Sequence, residues 1–152
     1  MNLIEKPKLV NWPSTHYLYV EKIGPFLKTA PQAWQKLQSQ VPEILNNNKI
    51  TGYMSLYKAR DKMIYRAGVT LSEAPKELPK EVKYTKFKGG KYAKFVLKGS
   101  YSDLPEACGH VYEIVTNQKL KLRNNFNIES YVNDPRKTPE KDLITEILIA
   151  IA

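Results

Sequence analysis

The sequence predicts an α+β protein built from tandem pseudo-twofold βαββ repeats, which form a mostly antiparallel sheet with helices on one face and a central ligand groove. Three observations predict it. Runs of period-2 alternation surround only two stretches of helical period; the order strand, helix, strand, strand occurs twice; and the second occurrence echoes the first residue by residue. Tyr17, Gly24 and Phe26 recur as Tyr92, Gly99 and Tyr101 at a separation of 75 positions. After a one-residue slip, Pro31, Ala33, Trp34, Leu37, Val41 and Tyr57 recur as Pro105, Ala107, Cys108, Val111, Val115 and Tyr131 at a separation of 74. One helix cannot cover both faces of its own strands, so the halves are expected to share a sheet, with a pseudo-twofold axis and a pocket at the seam.

A chain of 152 residues suits one domain, 1–152, with repeats at about 15–71 and 90–152 and a connector at about 72–89. Residues 1–10 read as an edge segment, because Pro7 and Pro13 cannot donate to a central ladder. Thr15 to Lys22, aromatic and β-branched, is a strand that ends at Ile23-Gly24-Pro25. A helix follows, with Thr29 as its cap, Pro31 in its first turn and Ala33, Trp34, Leu37 and Val41 on one face. Pro42 limits it, and Asn46-Asn47-Asn48 is a turn or loop. Gly52 to Lys58 and Met63 to Leu71 are two strands joined near Asp61-Lys62. Two prolines and alternating charges make Ser72 to Val82 a connector. The pattern then restarts: a strand from Tyr92 to Lys98, a turn at Gly99-Ser100-Tyr101, and a helix capped by Ser102 with Pro105 in its first turn. Strands at Asn124 to Val132 and Asp142 to Ala152 complete the chain.

Composition excludes several classes of function. Cys108 is the only cysteine, so neither an intramolecular disulfide nor a cysteine zinc cluster can form, and a reducing compartment fits. The N-terminus carries Glu5, Lys6 and Lys8 among its apolar residues, unlike a signal peptide, and no run approaches the ~20 apolar residues of a membrane span. A cytoplasmic location is expected. The formal charge of +9 comes from lysines scattered among glutamates and apolar residues, which reads as a solvated surface rather than a specific nucleic-acid groove. His16 and His110 have no companions at metal-ligand spacing, so no metal and no cofactor are expected. Cys108, on the apolar stripe of the second helix, reads as a buried small hydrophobe.

The stretch Asn125 to Pro135 holds the candidate site. Alternation puts Asn127, Glu129 and Tyr131 on one face of the strand and Phe126, Ile128, Ser130 and Val132 on the other, and Asn133-Asp134-Pro135 stops it. Glu129 is thus a lone carboxylate beside an aromatic ring. Glu146, between Ile144 and Leu148 on its own face, is a second acidic candidate. Tyr19, Tyr53, Tyr57 and Tyr65 are strand aromatics able to line a cavity with Trp34, and each also fits plain core.

These residues carry a resemblance. Gly24-Pro25-Phe26 with Ala33-Trp34-Gln35-Lys36-Leu37, the echo from Gly99 to Ala107, and above all the Glu-x-Tyr-x-Asn-Asp-Pro block, Glu129 to Pro135, with Thr145-Glu146-Ile147 behind it, resemble the GyrI-like small-molecule-binding family. That family includes effector-binding domains of multidrug-responsive and AraC-type regulators, DNA gyrase inhibitory proteins and cyclopropanoid cyclohydrolases. The resemblance implies an aromatic pocket with an acidic residue at its floor, placed by the motif at Glu129 with Tyr131 beside it. Three positions depart from the family pattern: Ala150 and Ser100 stand where proline is usual, and Cys108 where tryptophan often stands. The repeat uses up residues 15–152, so no DNA-binding helix-turn-helix is expected and the chain resembles stand-alone members. Three functions stay open: capture of hydrophobic, cationic or planar aromatic small molecules; hydrolysis of cyclopropanoid compounds, with Glu129 and Tyr131 as the catalytic pair; or binding of a protein partner in the manner of a gyrase inhibitor.

Overall fold

The computed structural model describes all 152 residues, and its elements follow the predicted order closely enough to show where local signals were overruled. Strand β1 spans Asn2–Trp12, β2 Thr15–Ile23, β3 Ile50–Lys58, β4 Ile64–Leu71, β5 Lys83–Phe87, β6 Gly90–Lys98, β7 Asn127–Tyr131 and β8 Ile144–Ala150. Helix α1 spans Phe26–Asn47 and α2 Leu104–Asn117. All of the strand pairings described below are antiparallel, and the protein is α+β.

The chain divides into two compact units, residues 13–89 and residues 1–12 with 90–152. In the 13–89 unit the strand order is β3-β4-β2-β5; in the other it is β7-β8-β6-β1. The stretch predicted as connector therefore contains a strand, β5, laid along the edge of β2. β1 precedes β2 in the chain but pairs with β6, while β5 precedes β6 but pairs with β2. The registers correspond: Lys8 and Trp12 face Lys94 and Gly90, and their counterparts 75 positions on, Lys83 and Phe87, face Tyr19 and Thr15. The repeat thus includes an edge strand that each half gives to the other. Pro7 lies where the β1–β6 register shifts, between Ile4 and Lys8, the place where a missing N–H costs the ladder least.

Both helices cover one face of their own strands. In the 13–89 unit, Ala33, Leu37 and Ile44 of α1 pack on Leu18, Val20, Ala67 and Val69; in the other, Leu104, Ala107, Val111 and Val115 pack on Ala93, Phe95, Ile147 and Ile149. α1 starts three residues before the expected cap. Pro25 is its N-cap, and the buried Thr29 hydroxyl donates back to the Pro25 carbonyl at 3.1 Å. Nor does Pro42 end the helix, which continues through Asn46 and Asn47, and because α1 begins at Phe26, Pro31 lies in its interior rather than in its first turn. An interior proline costs a helix about 3 kcal/mol, and the turn beyond Pro42 offsets much of that by burying Ile44 completely, worth about 1.5–3 kcal/mol. α2 is led by a single 3-10 turn, Tyr101–Asp103, capped by Ser100 rather than Ser102: the Ser100 hydroxyl accepts from the Ser102 N–H at 3.1 Å.

The strand face away from the helices is also buried at Tyr17 and Tyr92. The Tyr17 ring lies across Gly68 so closely that a Cβ there would sit 2.4 Å from it. Its hydroxyl donates to the Met54 carbonyl at 2.9 Å, and that of Tyr92 to the Phe126 carbonyl at 2.8 Å.

Candidate functional site

Glu129 sits in the middle of β7, opposite Ile147, and Tyr131 sits opposite Thr145. Ile147 belongs to the core under α2, so Glu129, Tyr131 and Thr145 share the helix-covered face. The period-2 reading of this strand thus carries a carboxylate beneath a helix, where it is only 9% exposed. Two neutral donors hold it. The Cys108 thiol, from α2, donates to Oε2 at 3.1 Å, and the Tyr131 hydroxyl donates to Oε1 at 2.9 Å. No lysine, arginine or histidine pairs with this carboxylate. Burial pushes the Glu129 carboxyl above the usual carboxylate range, while the Cys108 and Tyr131 hydrogen bonds pull it back only in part.

The Tyr101 ring meets the Tyr131 ring edge-on, centroids 5.4 Å apart. The hydroxyls of Tyr101 and Thr145 are buried and have no hydrogen-bond partner. Behind the strand, Asn133 ties the loop shut: its Nδ2 donates to the Asp142 carbonyl at 3.0 Å and its Oδ1 accepts from the Ile144 N–H at 2.9 Å. Asp134 accepts from the Arg136 N–H at 2.9 Å, and the Arg136 guanidinium holds its carboxyl below the usual range. The Asn-Asp pair of the motif therefore braces the end of β7.

The 13–89 unit repeats this plan in neutral form. Ser55 stands 74 positions before Glu129, and Trp34 stands 74 before Cys108. The Trp34 Nε1 donates to the Tyr65 hydroxyl at 2.8 Å and the Ser55 hydroxyl at 3.2 Å, and Ser55 and Tyr65 are themselves 2.6 Å apart. Tyr57 packs edge-on against Phe26 at 5.8 Å, and Tyr53 packs on the same core. Of the predicted residues, then, Trp34, Tyr53, Tyr57 and Tyr65 gather under α1, and Glu129 and Tyr131 under α2. Two go elsewhere. Tyr19 alternates with the core residues Leu18 and Val20, so it faces away from α1; it stacks on Tyr17 and lies under the Arg66 guanidinium at 4.4 Å. Glu146 faces away from α2 and pairs with the Lys94 Nζ at 3.1 Å.

Sequence reasoning missed four members of these clusters. Cys108 is half-buried and touches the carboxylate, so it is more than an inert core residue. Ser55 could have been found by carrying Glu129 back through the repeat. Tyr101 was visible only as a turn residue and the counterpart of Phe26, and Thr145 only as a neighbour of Glu146 behind the motif. A surface depression of about 390 Å³, lined by Met1, Pro105, Glu106, Gly109, His110 and Glu113, shares none of these residues.

The GyrI-like small molecule binding domain, as a family, matches residues 5–152. The chain belongs to that family. No curated protein sequence matches it. Among solved structures it is similar to the C-terminal domain of EcmrR, at 18% identity and a TM-score of 0.76 over 96% of each chain. It is also similar to SAV2435 bound to tetraphenylphosphonium, at 16% identity and a TM-score of 0.72 over 96% of this chain and 93% of that one. A hydrolase from Listeria innocua is a third, at 14% identity and a TM-score of 0.64 over 97% of this chain and 92% of that one. At such identities the likeness is one of fold. EcmrR bound to DNA matches over 99% of this chain but only 58% of its own length, with a TM-score of 0.77 and 17% identity, so this GyrI-like chain spans little more than half of it.

Proposed function

We propose that this GyrI-like chain captures hydrophobic cations, planar or aromatic, with the Glu129 carboxylate as their counter-charge. The observation that carries the reading is a buried carboxylate held by two neutral donors and no cation. A charge withdrawn from water and left without an opposite charge is under-compensated, so a cation that sheds its own hydration there gains more than a neutral molecule does. The rings of Tyr131 and Tyr101 offer such a ligand a π-face beside the charge. SAV2435, of similar fold, is bound to tetraphenylphosphonium, a compound of this class. The test is a titration of wild type and Glu129→Gln with tetraphenylphosphonium, read by calorimetry and by melting temperature. Binding by the wild type and its loss in the variant support the proposal; equal binding by both sinks the role of Glu129.

A second reading rests on the 2.9 Å bond between the Tyr131 hydroxyl and Glu129. A carboxyl of raised pKa beside a phenol can deprotonate a water and return a proton, as ring-opening hydrolysis of a cyclopropane requires. Turnover of a cyclopropane-bearing alkylator, abolished in Glu129→Gln and reduced in Tyr131→Phe, separates an enzyme from a binder.

A further inference from the structure

The two units treat their buried hydroxyls differently. Under α1 the Tyr65 and Ser55 hydroxyls and the Trp34 N–H satisfy one another. Under α2 the hydroxyls of Tyr101 and Thr145 are buried with no partner. The repeat makes the contrast sharp. Tyr101 corresponds to Phe26, which has no hydroxyl to satisfy. Thr145, opposite Tyr131, corresponds to Tyr65, opposite Tyr57, whose hydroxyl is fully engaged. Leaving a buried hydroxyl unpaired costs a fold stability that phenylalanine or valine at the same place would not cost. The unit that bears this cost twice is the one that holds the carboxylate, and both hydroxyls flank Tyr131, whose own hydroxyl is spent on Glu129.

We infer that the Tyr101 and Thr145 hydroxyls are hydrogen-bonding positions for the ligand, so that the compound held at Glu129 is a cation that also carries an oxygen acceptor, such as a carbonyl or ether, rather than a bare hydrocarbon onium. This rests on the cation-binding reading and refines it. Burial and the negative charge of Asp134 keep the Tyr101 phenol protonated, so it serves as a donor, and an acceptor on the ligand is what complements it. Charge then supplies attraction and the two hydroxyls supply selection, because an analogue without the acceptor leaves them as unpaired as before.

A matched pair of ligands tests this. Tetraphenylphosphonium and its analogue with one para-acetyl group share charge and size but differ in one acceptor. Titrated into the wild type, the acetyl analogue is expected to bind about tenfold more tightly, the worth of one well-placed hydrogen bond. In Tyr101→Phe/Thr145→Val, which keeps the shapes and removes both hydroxyls, that ratio is expected to fall to about twofold or less, and the melting temperature of the ligand-free protein is expected not to drop. A ratio unchanged by the double substitution overturns the inference, with the cation-binding reading intact so long as Glu129→Gln still weakens both ligands. A ligand-free double variant that melts several degrees lower also overturns it, since the hydroxyls are then already paired. A wild type that binds neither phosphonium overturns the cation-binding reading and this inference together.

Discussion

Replacing Glu129 by Gln removes a charge while keeping the size of the side chain and an acceptor for the Tyr131 hydroxyl. Two effects of opposite sign are expected. A cation held about 5 Å from the carboxylate, at an effective dielectric of about 20, is attracted by about 3 kcal/mol, so the substitution should weaken its binding roughly 150-fold. Without ligand, the variant should be more stable than the wild type at neutral pH. In the folded chain this carboxyl titrates above its ordinary value of 4.5, because burial disfavours the charged form. Between that value and the folded-state pKa, the folded chain still holds a proton that the unfolded chain has released. The contribution of Glu129 to stability is therefore whole below the ordinary carboxylate range and is lost as pH rises through the folded-state pKa. Urea denaturation of both proteins from pH 4 to pH 9 reads this directly: the wild type should lose ground to the variant as pH rises. Cation affinity should move the other way, rising with pH as Glu129 ionises. Parallel stability profiles, or a variant that binds cations as well as the wild type, would refute the picture of an enclosed and under-compensated carboxylate.

Three further outcomes follow from the packing. Gly68→Ala places a Cβ 2.4 Å from the Tyr17 ring and 2.5 Å from the Leu18 carbonyl oxygen, so it should destabilise the protein by about 3 kcal/mol in urea titration. Shortening the ring with Tyr17→Leu should recover only part of that, since the backbone clash remains. Tyr92→Phe removes the hydrogen bond to the Phe126 carbonyl and should cost about 1–2 kcal/mol; in a spectrophotometric titration the wild-type Tyr92 phenol, pushed up to about 12 chiefly by burial, should ionise late, and its share of stability should be lost as pH climbs from 10 to about 12. Asn133→Ala removes both side-chain bonds that close the loop between β7 and β8 and should speed hydrogen exchange at the Ile144 amide at least tenfold, while costing about 1–2 kcal/mol of stability.

Much of the fold was legible because the signals are local. Alternation marks a strand wherever one face is buried, Gly24 and Gly99 mark turns that need positive φ, at 137° and 131°, and the stripe Ala107, Val111, Val115 marks a buried helix face. Where the reading failed, a local rule lost to packing. Thr29 looks like a cap and Pro42 like a stop, yet α1 runs through both, and the turn beyond Pro42 buries Ile44 completely. β5 went unseen because Lys83, Lys86 and Lys88 mask an edge strand whose only partner is β2, more than 60 positions away in the chain. Cys108 looked like core because its stripe is core, and the acceptor of its thiol proton, Glu129, lies on another element.

The sequence by itself determined the α+β class, the duplication, the order of most elements and the identity of the one carboxylate at the centre of the motif. Those are properties of spacing, and spacing is written along the chain. Tertiary structure alone decided which face each tyrosine takes, so that Tyr19 and Glu146 leave the cluster while Tyr101 and Thr145 join it. It decided too that the Glu129 carboxylate is held by a thiol and a phenol instead of a cation, and that each unit takes its edge strand from the other half of the repeat. The physical reason is strand register: partners are chosen across long stretches of chain, and a shift of one residue sends every side chain to the opposite face.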